Sequence, residues 1–218
     1  MSDHPSKRSD PNTSQEKQPG GTTRRTFLKS AGLVSASVAS LDALHEVSVA
    51  QAAAAPVRAL GPDKVAVRLR INNQIHALNI EPRATLAEVL RDELHITGTK
   101  IVCDRGACSA CTVMLEKTPV CSCMTLAIDV GMRDITTIEG LAEGDNLHPV
   151  QAAFIAHDGL QCGFCTSGMV MSCAALLERN SNPTLDEVKT AVSGNICRCG
   201  TYPKVFEAVL AASQSTGT

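Results

Sequence analysis

Large aromatic side chains are scarce in this sequence of 218 residues, which has no Trp, one Tyr and four Phe. The hydrophobic share of 44% is still enough for packed interiors. These interiors must therefore be built from Ala, Val, Leu and Ile. A chain of this length accommodates one large domain or two small ones.

An excess of charge of one sign is also missing, because 20 Lys and Arg residues stand against 22 Asp and Glu. The formal net charge of -2 favours neither nucleic acid nor an anionic membrane surface as a partner. No pair of carboxylates and no Ser/His/Asp set stands out in the sequence. The chain is therefore not expected to supply an acid, a base or a nucleophile for substrate chemistry.

Cysteine, by contrast, is abundant, with ten residues. Such a count indicates metal ligation or disulfides, and the spacing has to decide between them. Cys103, Cys108 and Cys111 have the spacing of a plant-type [2Fe-2S] loop, and Cys121 or Cys123 can supply a fourth thiolate. The residues between the first three cysteines are mostly small, which lets backbone amides approach cluster sulfur.

A four-cysteine zinc site and a disulfide loop are the alternatives for this segment. Zinc sites usually use two short cysteine pairs rather than a loop of three cysteines. The spacing therefore favours an iron-sulfur site.

The N-terminal residues have the character of an export signal. Residues 1–23 are polar without apolar periodicity, and Arg24 and Arg25 then precede a weakly apolar stretch at 30–44. This arrangement resembles a twin-arginine signal, and Ala50-Gln51-Ala52 offers an A-x-A cleavage site. The apolar stretch is too short and too mild for a stable membrane span. We therefore predict a periplasmic protein without a membrane anchor.

Composition and periodicity divide the chain into four parts. The predicted parts are a signal peptide at 1–52, an Ala- and Pro-rich linker at 53–62, an α+β domain at 63–140 and an all-α domain at 141–218.

The pattern of 63–140 predicts a hairpin, a helix and returning strands. Val67, Leu69 and Ile71 alternate with Arg residues, and Asn72-Asn73 offers a tight turn into a second strand at 75–80. A capping box, Thr85-x-x-Glu88, opens an amphipathic helix. Further strands are predicted at 112–115, 120–128 and 135–138.

The pattern of 141–218 predicts four short helices. Their expected ranges are 150–157, 167–179, 185–192 after a capping box at Thr184-x-x-Glu187, and 202–212. His148 and His157 flank the first helix and are expected to serve as caps or surface residues. Met169, Met171 and Cys173 are expected to pack in the interior.

The connecting loops of these helices hold two further cysteine pairs. Cys162 and Cys165 lie in the first loop, and Cys197 and Cys199 lie in the last. Antiparallel packing would bring both loops to one end of the bundle. Four thiolates would then meet, and both a zinc ion and a second [2Fe-2S] cluster fit this pattern.

The motifs CDRGACSAC, QCGFCTSG and GNICRCGTY, in this order, resemble the iron-sulfur subunit of the xanthine oxidase family of molybdenum hydroxylases. The resemblance covers about 63–212 and, together with the export signal, points to an aldehyde-oxidising periplasmic member. It implies a β-grasp, ferredoxin-like domain with one [2Fe-2S] cluster and a four-helix domain with a second. Partner subunits would carry molybdopterin and FAD.

Matched residue by residue, the resemblance implies two sets of ligands. They are Cys103, Cys108, Cys111 and Cys123 for the first cluster, and Cys162, Cys165, Cys197 and Cys199 for the second. Gln161 and Cys199 match positions that lie against the pterin in the family. Ser109 stands where the family usually has Gly, and Cys121 competes with Cys123 for the fourth place.

The expected function is an electron relay from molybdopterin through two [2Fe-2S] clusters to FAD in an aldehyde-oxidising complex. Two alternatives remain at this point: the corresponding subunit of an N-heterocycle dehydrogenase, and a free-standing ferredoxin-like carrier.

Overall fold

The structure, a computed structural model, describes Arg25 and residues 59–215. The predicted signal peptide at 1–52 therefore lies outside the described residues, apart from Arg25, and so do residues 53–58 of the predicted linker. Residues 59–215 all belong to one compact unit.

The first described element is the predicted hairpin. Strand β1, Val65–Ile71, pairs antiparallel with strand β2, Gln74–Ile80. Asn72 and Asn73 both have positive φ, 47° and 65°, which is the backbone of a two-residue hairpin turn with the twist that the strands require. The hairpin prediction is confirmed.

Three shorter strands complete a five-stranded mixed sheet in the order β2-β1-β5-β3-β4. They are β3 Thr112–Leu115, β4 Thr118–Cys121 and β5 Asp134–Thr136. Strand β5 pairs parallel with β1 and antiparallel with β3, so the centre of the sheet joins the N-terminal hairpin to the strands that follow the first cysteine loop.

The first helix starts at the predicted capping box. The Thr85 hydroxyl accepts from the Glu88 N–H, and the Glu88 carboxylate accepts from the Thr85 N–H at 2.8 Å. Helix α1, Leu86–Glu88, continues directly into a π-helical turn, Val89–Glu93. Its buried face packs on the sheet.

The predicted strand at 120–128 is wrong, because β4 ends at Cys121 and a 3-10 turn, Ser122–Met124, follows. The buried Ser122 hydroxyl donates to the Cys111 carbonyl at 2.7 Å, which turns the chain towards the first cysteine loop. Thr125 then accepts from the Leu86 N–H at 2.7 Å. A short helix, α2 Ala127–Val130, takes the place of the expected strand.

The strand predicted at 135–138 is present but displaced. It spans Asp134–Thr136 and is followed by a 3-10 turn, Ile138–Gly140. The reason is a side-chain contact, because the Asn72 amide pairs with both the backbone N–H and the hydroxyl of Thr137 and so takes over the backbone donor of that residue.

Four helices follow, close to the predicted ranges: α3 Pro149–Ala156, α4 Thr166–Arg179, α5 Leu185–Ala191 and α6 Tyr202–Ser215. The capping box at Thr184 and Glu187 is confirmed. His148 Nδ1 accepts from the Val150 N–H at 3.2 Å, so His148 is the N-cap of α3 as expected. Burial lowers the pKa of His148.

Two aliphatic clusters form the interior. One lies between the sheet, α1 and α2, and the other lies among α3 to α6 and includes Met169 and Cys173. Met114 on β3 packs against Met171 and Ala175 on α4, which connects the two clusters. The α+β class is confirmed, and both methionines of α4 and Cys173 pack in the interior as predicted. Among the described residues, no helix combines the length and apolar character that a bilayer crossing requires.

Candidate metal centres

The first cysteine loop follows α1 and is shaped by residues with positive φ. These are Asp104, Gly106 and Ser109, with φ of 53°, 68° and 53°. The resulting curl points the Ala107 N–H at Cys103 Sγ, 3.3 Å away. An amide that faces a cysteine sulfur stabilises the thiolate form, which is the form that binds iron.

Four thiols of this region come together as two pairs. The Cys103 thiol lies within hydrogen-bonding reach of the Cys108 thiol, and the Cys123 thiol lies within reach of the Cys111 thiol. Hydrogen bonds from the Arg105 backbone and the Cys108 thiol lower the pKa of Cys103 to about 7. Burial, followed by the contact with Cys111, raises the pKa of Cys123 to about 11.

Cys121 lies beside this group but makes different contacts. Its Sγ is 3.9 Å from the Gly106 carbonyl oxygen and 3.9 Å from the Ser109 hydroxyl. The thiols that act on Cys123 are those of Cys111 and Cys103. Cys121 also packs against the buried Cys111 and Cys123, so Cys123 as the fourth ligand stays a prediction of the family resemblance.

The second group forms where the loop before α4 meets the loop before α6. The Cys162 thiol lies within reach of the Cys199 thiol, and the Cys165 thiol lies within reach of the Cys197 thiol. Each pair thus joins one cysteine from each loop. The expectation that the two loops meet at one end of the helices is correct.

Within the second group, burial and hydrogen bonding shift the pKa values of the thiols in different directions. Burial raises the pKa of Cys165 to about 12. Burial also raises the pKa of Cys197, but hydrogen bonds from Thr201, including its hydroxyl at 3.3 Å, outweigh this and lower the pKa to about 7. The Phe164 N–H lowers the pKa of the exposed Cys162.

The donor chemistry of both groups fits a [2Fe-2S] cluster. All ten cysteines are free thiols. Each group has two pairs, and a [2Fe-2S] cluster takes two protein ligands on each of its two irons. Four thiolates also suit a structural zinc ion.

The two groups are linked by direct hydrogen bonds that the sequence pattern did not reveal. The Ile196 N–H donates to the Cys108 carbonyl at 3.1 Å, and Asn195 Nδ2 donates to the Ser109 carbonyl at 3.2 Å. Gly168, at the start of α4, lies so close that an added Cβ would overlap the Ser109 carbonyl oxygen. A glycine is therefore required where α4 passes the first loop.

The second group opens to the surface through an apolar rim. Phe164 and Ile196 are about 60% exposed, at 61% and 59%, and a cleft of about 290 Å³ lies beside Cys162 and Arg198. Gln161 is exposed next to this rim. These side chains are accessible to a partner.

Comparison with known proteins agrees with this chemistry. Residues 137–210 match the [2Fe-2S] binding domain family. The aldehyde oxidoreductase iron-sulfur-binding subunit of Escherichia coli K12 is 40% identical over 202 residues, which cover 86% of each chain. The nicotine 6-hydroxylase small subunit of Paenarthrobacter nicotinovorans is 44% identical over 155 residues, which cover 71% of this chain and 93% of that one.

Solved structures give the same result. The quinoline 2-oxidoreductase structure from Pseudomonas putida 86 matches with a TM-score of 0.69 and 38% identity, and the match covers 71% of this chain and 97% of that chain. The fold and the thiol groups define an iron-sulfur electron-transfer subunit of an oxidoreductase. The chain belongs to the iron-sulfur subunits of the xanthine oxidase family of molybdenum hydroxylases.

Proposed function

We propose that the chain binds two [2Fe-2S] clusters and relays electrons from molybdopterin on a large partner subunit to FAD on another partner, in an aldehyde-oxidising complex. The observation that carries this proposal is the presence of two groups of free cysteines whose loops are joined by hydrogen bonds of 3.1 and 3.2 Å. Each cluster, when bound, takes up and gives back one electron.

The ligands of the first cluster are Cys103, Cys108, Cys111 and Cys123, and those of the second are Cys162, Cys165, Cys197 and Cys199. The first set belongs to a β-grasp domain at 63–140, and the second set belongs to a four-helix domain at 141–218. Ala87 of α1 and Ile101 pack against the buried Cys111 and Cys123, which keeps water from that side of the first group.

The second group is proposed to face the molybdopterin subunit. Gln161 and Cys199 are exposed next to the apolar rim of Phe164 and Ile196. Desolvated apolar residues with few charges are typical of the centre of a protein interface. Gln161 would donate to or accept from the pterin at this interface.

Two substrate classes are supported by relatives, and we favour aldehydes. The aldehyde oxidoreductase relative aligns over 86% of this chain, whereas the nicotine 6-hydroxylase relative aligns over 71%. The higher identity of the latter, 44% against 40%, keeps an N-heterocycle as the second candidate. Turnover of aldehydes and N-heterocycles by the purified complex would separate the two.

We further propose that the protein reaches the periplasm by the twin-arginine route. The support is the sequence pattern of Arg24 and Arg25 ahead of a mild apolar stretch.

Metal analysis of the purified native complex tests the relay. We expect about four iron atoms per copy of this chain and two distinguishable electron paramagnetic resonance signals on reduction. Stoichiometric zinc with little iron would contradict the proposal. Purification of this chain alone from its native source, without larger subunits, would favour a free-standing carrier.

A further inference from the structure

Asn195 is a buried polar residue that connects the loops of the two cysteine groups. It is 2% exposed. It lies between α5 and the loop before α6, two positions before Cys197. Its side-chain amide donates to the Ser109 carbonyl of the first loop at 3.2 Å, across 86 positions of sequence. Its backbone N–H donates to Val192, at the end of α5, at 2.9 Å.

Tyr202, the single tyrosine of the chain, holds the same segment from the other side. Its hydroxyl donates to the Asn195 carbonyl at 2.7 Å and accepts from the Cys197 N–H at 2.8 Å. One hydroxyl thus satisfies two backbone groups on either side of Ile196. The Tyr202 ring is anchored at the start of α6 and lies 6.3 Å from the Phe206 ring.

These contacts lie on either side of a direct hydrogen bond between the two groups. Ile196 lies between Asn195 and Cys197, and its N–H donates to the Cys108 carbonyl at 3.1 Å. Cys108 belongs to the first group and Cys197 to the second. The position of this bond depends on the neighbours that hold the Ile196 backbone, namely the Asn195 amide and the Tyr202 hydroxyl.

We propose that Asn195 and Tyr202 are positioning residues that hold the segment 195–197 against the first cysteine loop and thereby set the electronic contact between the two cysteine groups. This inference rests on the proposed relay. Neither residue gains or loses an electron or a proton during electron transfer, because each acts only through hydrogen bonds to backbone groups.

Two near-isosteric substitutions in the purified complex test the pair. Tyr202→Phe removes only the hydroxyl that bridges Asn195 and Cys197. Asn195→Asp replaces the donor to the Ser109 carbonyl with an oxygen that cannot donate when ionised. Phe206→Leu is the matched control, because it disturbs the ring next to Tyr202 and makes no hydrogen bond to the segment.

Hydrogen exchange of the peptide that contains 195–197 is the first measurement. Buried backbone groups left without partners open more readily, so we expect exchange to become about tenfold faster in Tyr202→Phe, equivalent to ~1.4 kcal/mol. We expect Asn195→Asp to speed exchange in the first loop, around Ser109, as well. The control should leave both peptides unchanged.

The second measurement is the magnetic interaction between the two reduced centres. We expect iron content and both resonance signals to persist in the two variants. The splitting of these signals, which the magnetic interaction between the two reduced clusters causes, should become smaller. Unchanged exchange and unchanged splitting would overturn the proposal. Loss of the second signal together with half of the iron would also overturn it, because the pair would then serve cluster binding.

The two proposals can fail separately. If the native complex holds no iron, the relay fails, yet the exchange comparison still reports whether Asn195 and Tyr202 hold the two loops together.

Discussion

At the residue scale, two cysteines two positions apart have different surroundings. Cys123 is buried, and its pKa is raised to about 11 by burial and by the neighbouring Cys111 thiol. Cys121 is half-buried, and its sulfur faces the Gly106 carbonyl and the Ser109 hydroxyl. A buried thiol beside other thiols is the better candidate ligand, because a metal that replaces the protons removes the cost of desolvating charged sulfur.

We predict that Cys123→Ser and Cys121→Ser have different effects on metal content. The first should lower iron from about four to about two atoms per chain, because one of two [2Fe-2S] clusters is lost. The second should retain both clusters. Iron analysis and resonance spectra of the two variants check this. Retention of both clusters in Cys123→Ser, with loss in Cys121→Ser, would show that the ligands are exchanged.

Ser109 of the first cysteine loop has an unusual backbone conformation for a residue with a side chain. It adopts a φ of 53°, in the left-handed region that a glycine occupies without strain. Its hydroxyl projects towards Gly194, where an added Cβ would lie 3.3 Å away. The serine is thus accommodated by a small residue opposite it.

At the element scale, predictions from hydrogen-bonding motifs within a few residues were correct, whereas a strand predicted from the apolar pattern alone was wrong. The two capping boxes and the Asn-Asn turn depend on residues that are neighbours in sequence, and the structure has all three. The predicted strand at 120–128 failed because Ser122 bonds to the Cys111 carbonyl. That contact joins elements that no local pattern connects.

The start of α4 provides a test at this scale. We predict that Gly168→Ala destabilises the protein by about 1–3 kcal/mol, because the new methyl group would press on the Ser109 carbonyl and push the first loop away from α4. Thermal unfolding of the purified chain and the spectrum of the first cluster measure the effect.

Ser167→Ala is the matched control for this variant. Ser167 is the preceding residue of α4, and its buried hydroxyl has no hydrogen-bond partner among the described residues. Its removal should therefore leave stability unchanged or slightly higher. Equal unfolding temperatures and cluster spectra in the two variants would mean that the close contact between Gly168 and Ser109 does not contribute to stability.

At the scale of the whole molecule, the proposed export route and the proposed cofactors are connected. Free thiols that reach an oxidising compartment unfolded can form disulfides before iron is bound. Cluster binding before export would tie up eight of the ten thiols and stabilise the fold. That order requires a route that carries folded proteins, which the twin-arginine system provides in the family that the sequence resembles.

We predict that Arg24→Lys together with Arg25→Lys leaves the assembled complex in the cytoplasm, active and with its clusters intact. Partner subunits without signals would travel with this chain, so they should remain with it. Fractionation of cells followed by activity and iron measurements checks this. Arrival of the doubly substituted chain in the periplasm, or of partners without it, would contradict the prediction.

The sequence by itself determined the features that depend on short spacing. These are the cysteine motifs of both groups, the hairpin, the capping boxes and the approximate ranges of the four C-terminal helices, since each depends on residues within a few positions of one another. The family resemblance rested on the same motifs, and the comparisons confirm it.

Only the tertiary structure decided which distant residues meet. It brought together thiols from separate loops and joined the two groups through Cys108 and Ile196. It also brought the Asn195 amide to the Ser109 carbonyl across 86 positions. Such contacts arise when the aliphatic faces of α4 and β3 pack together, and no spacing within the sequence encodes the distance between surfaces that meet only after folding.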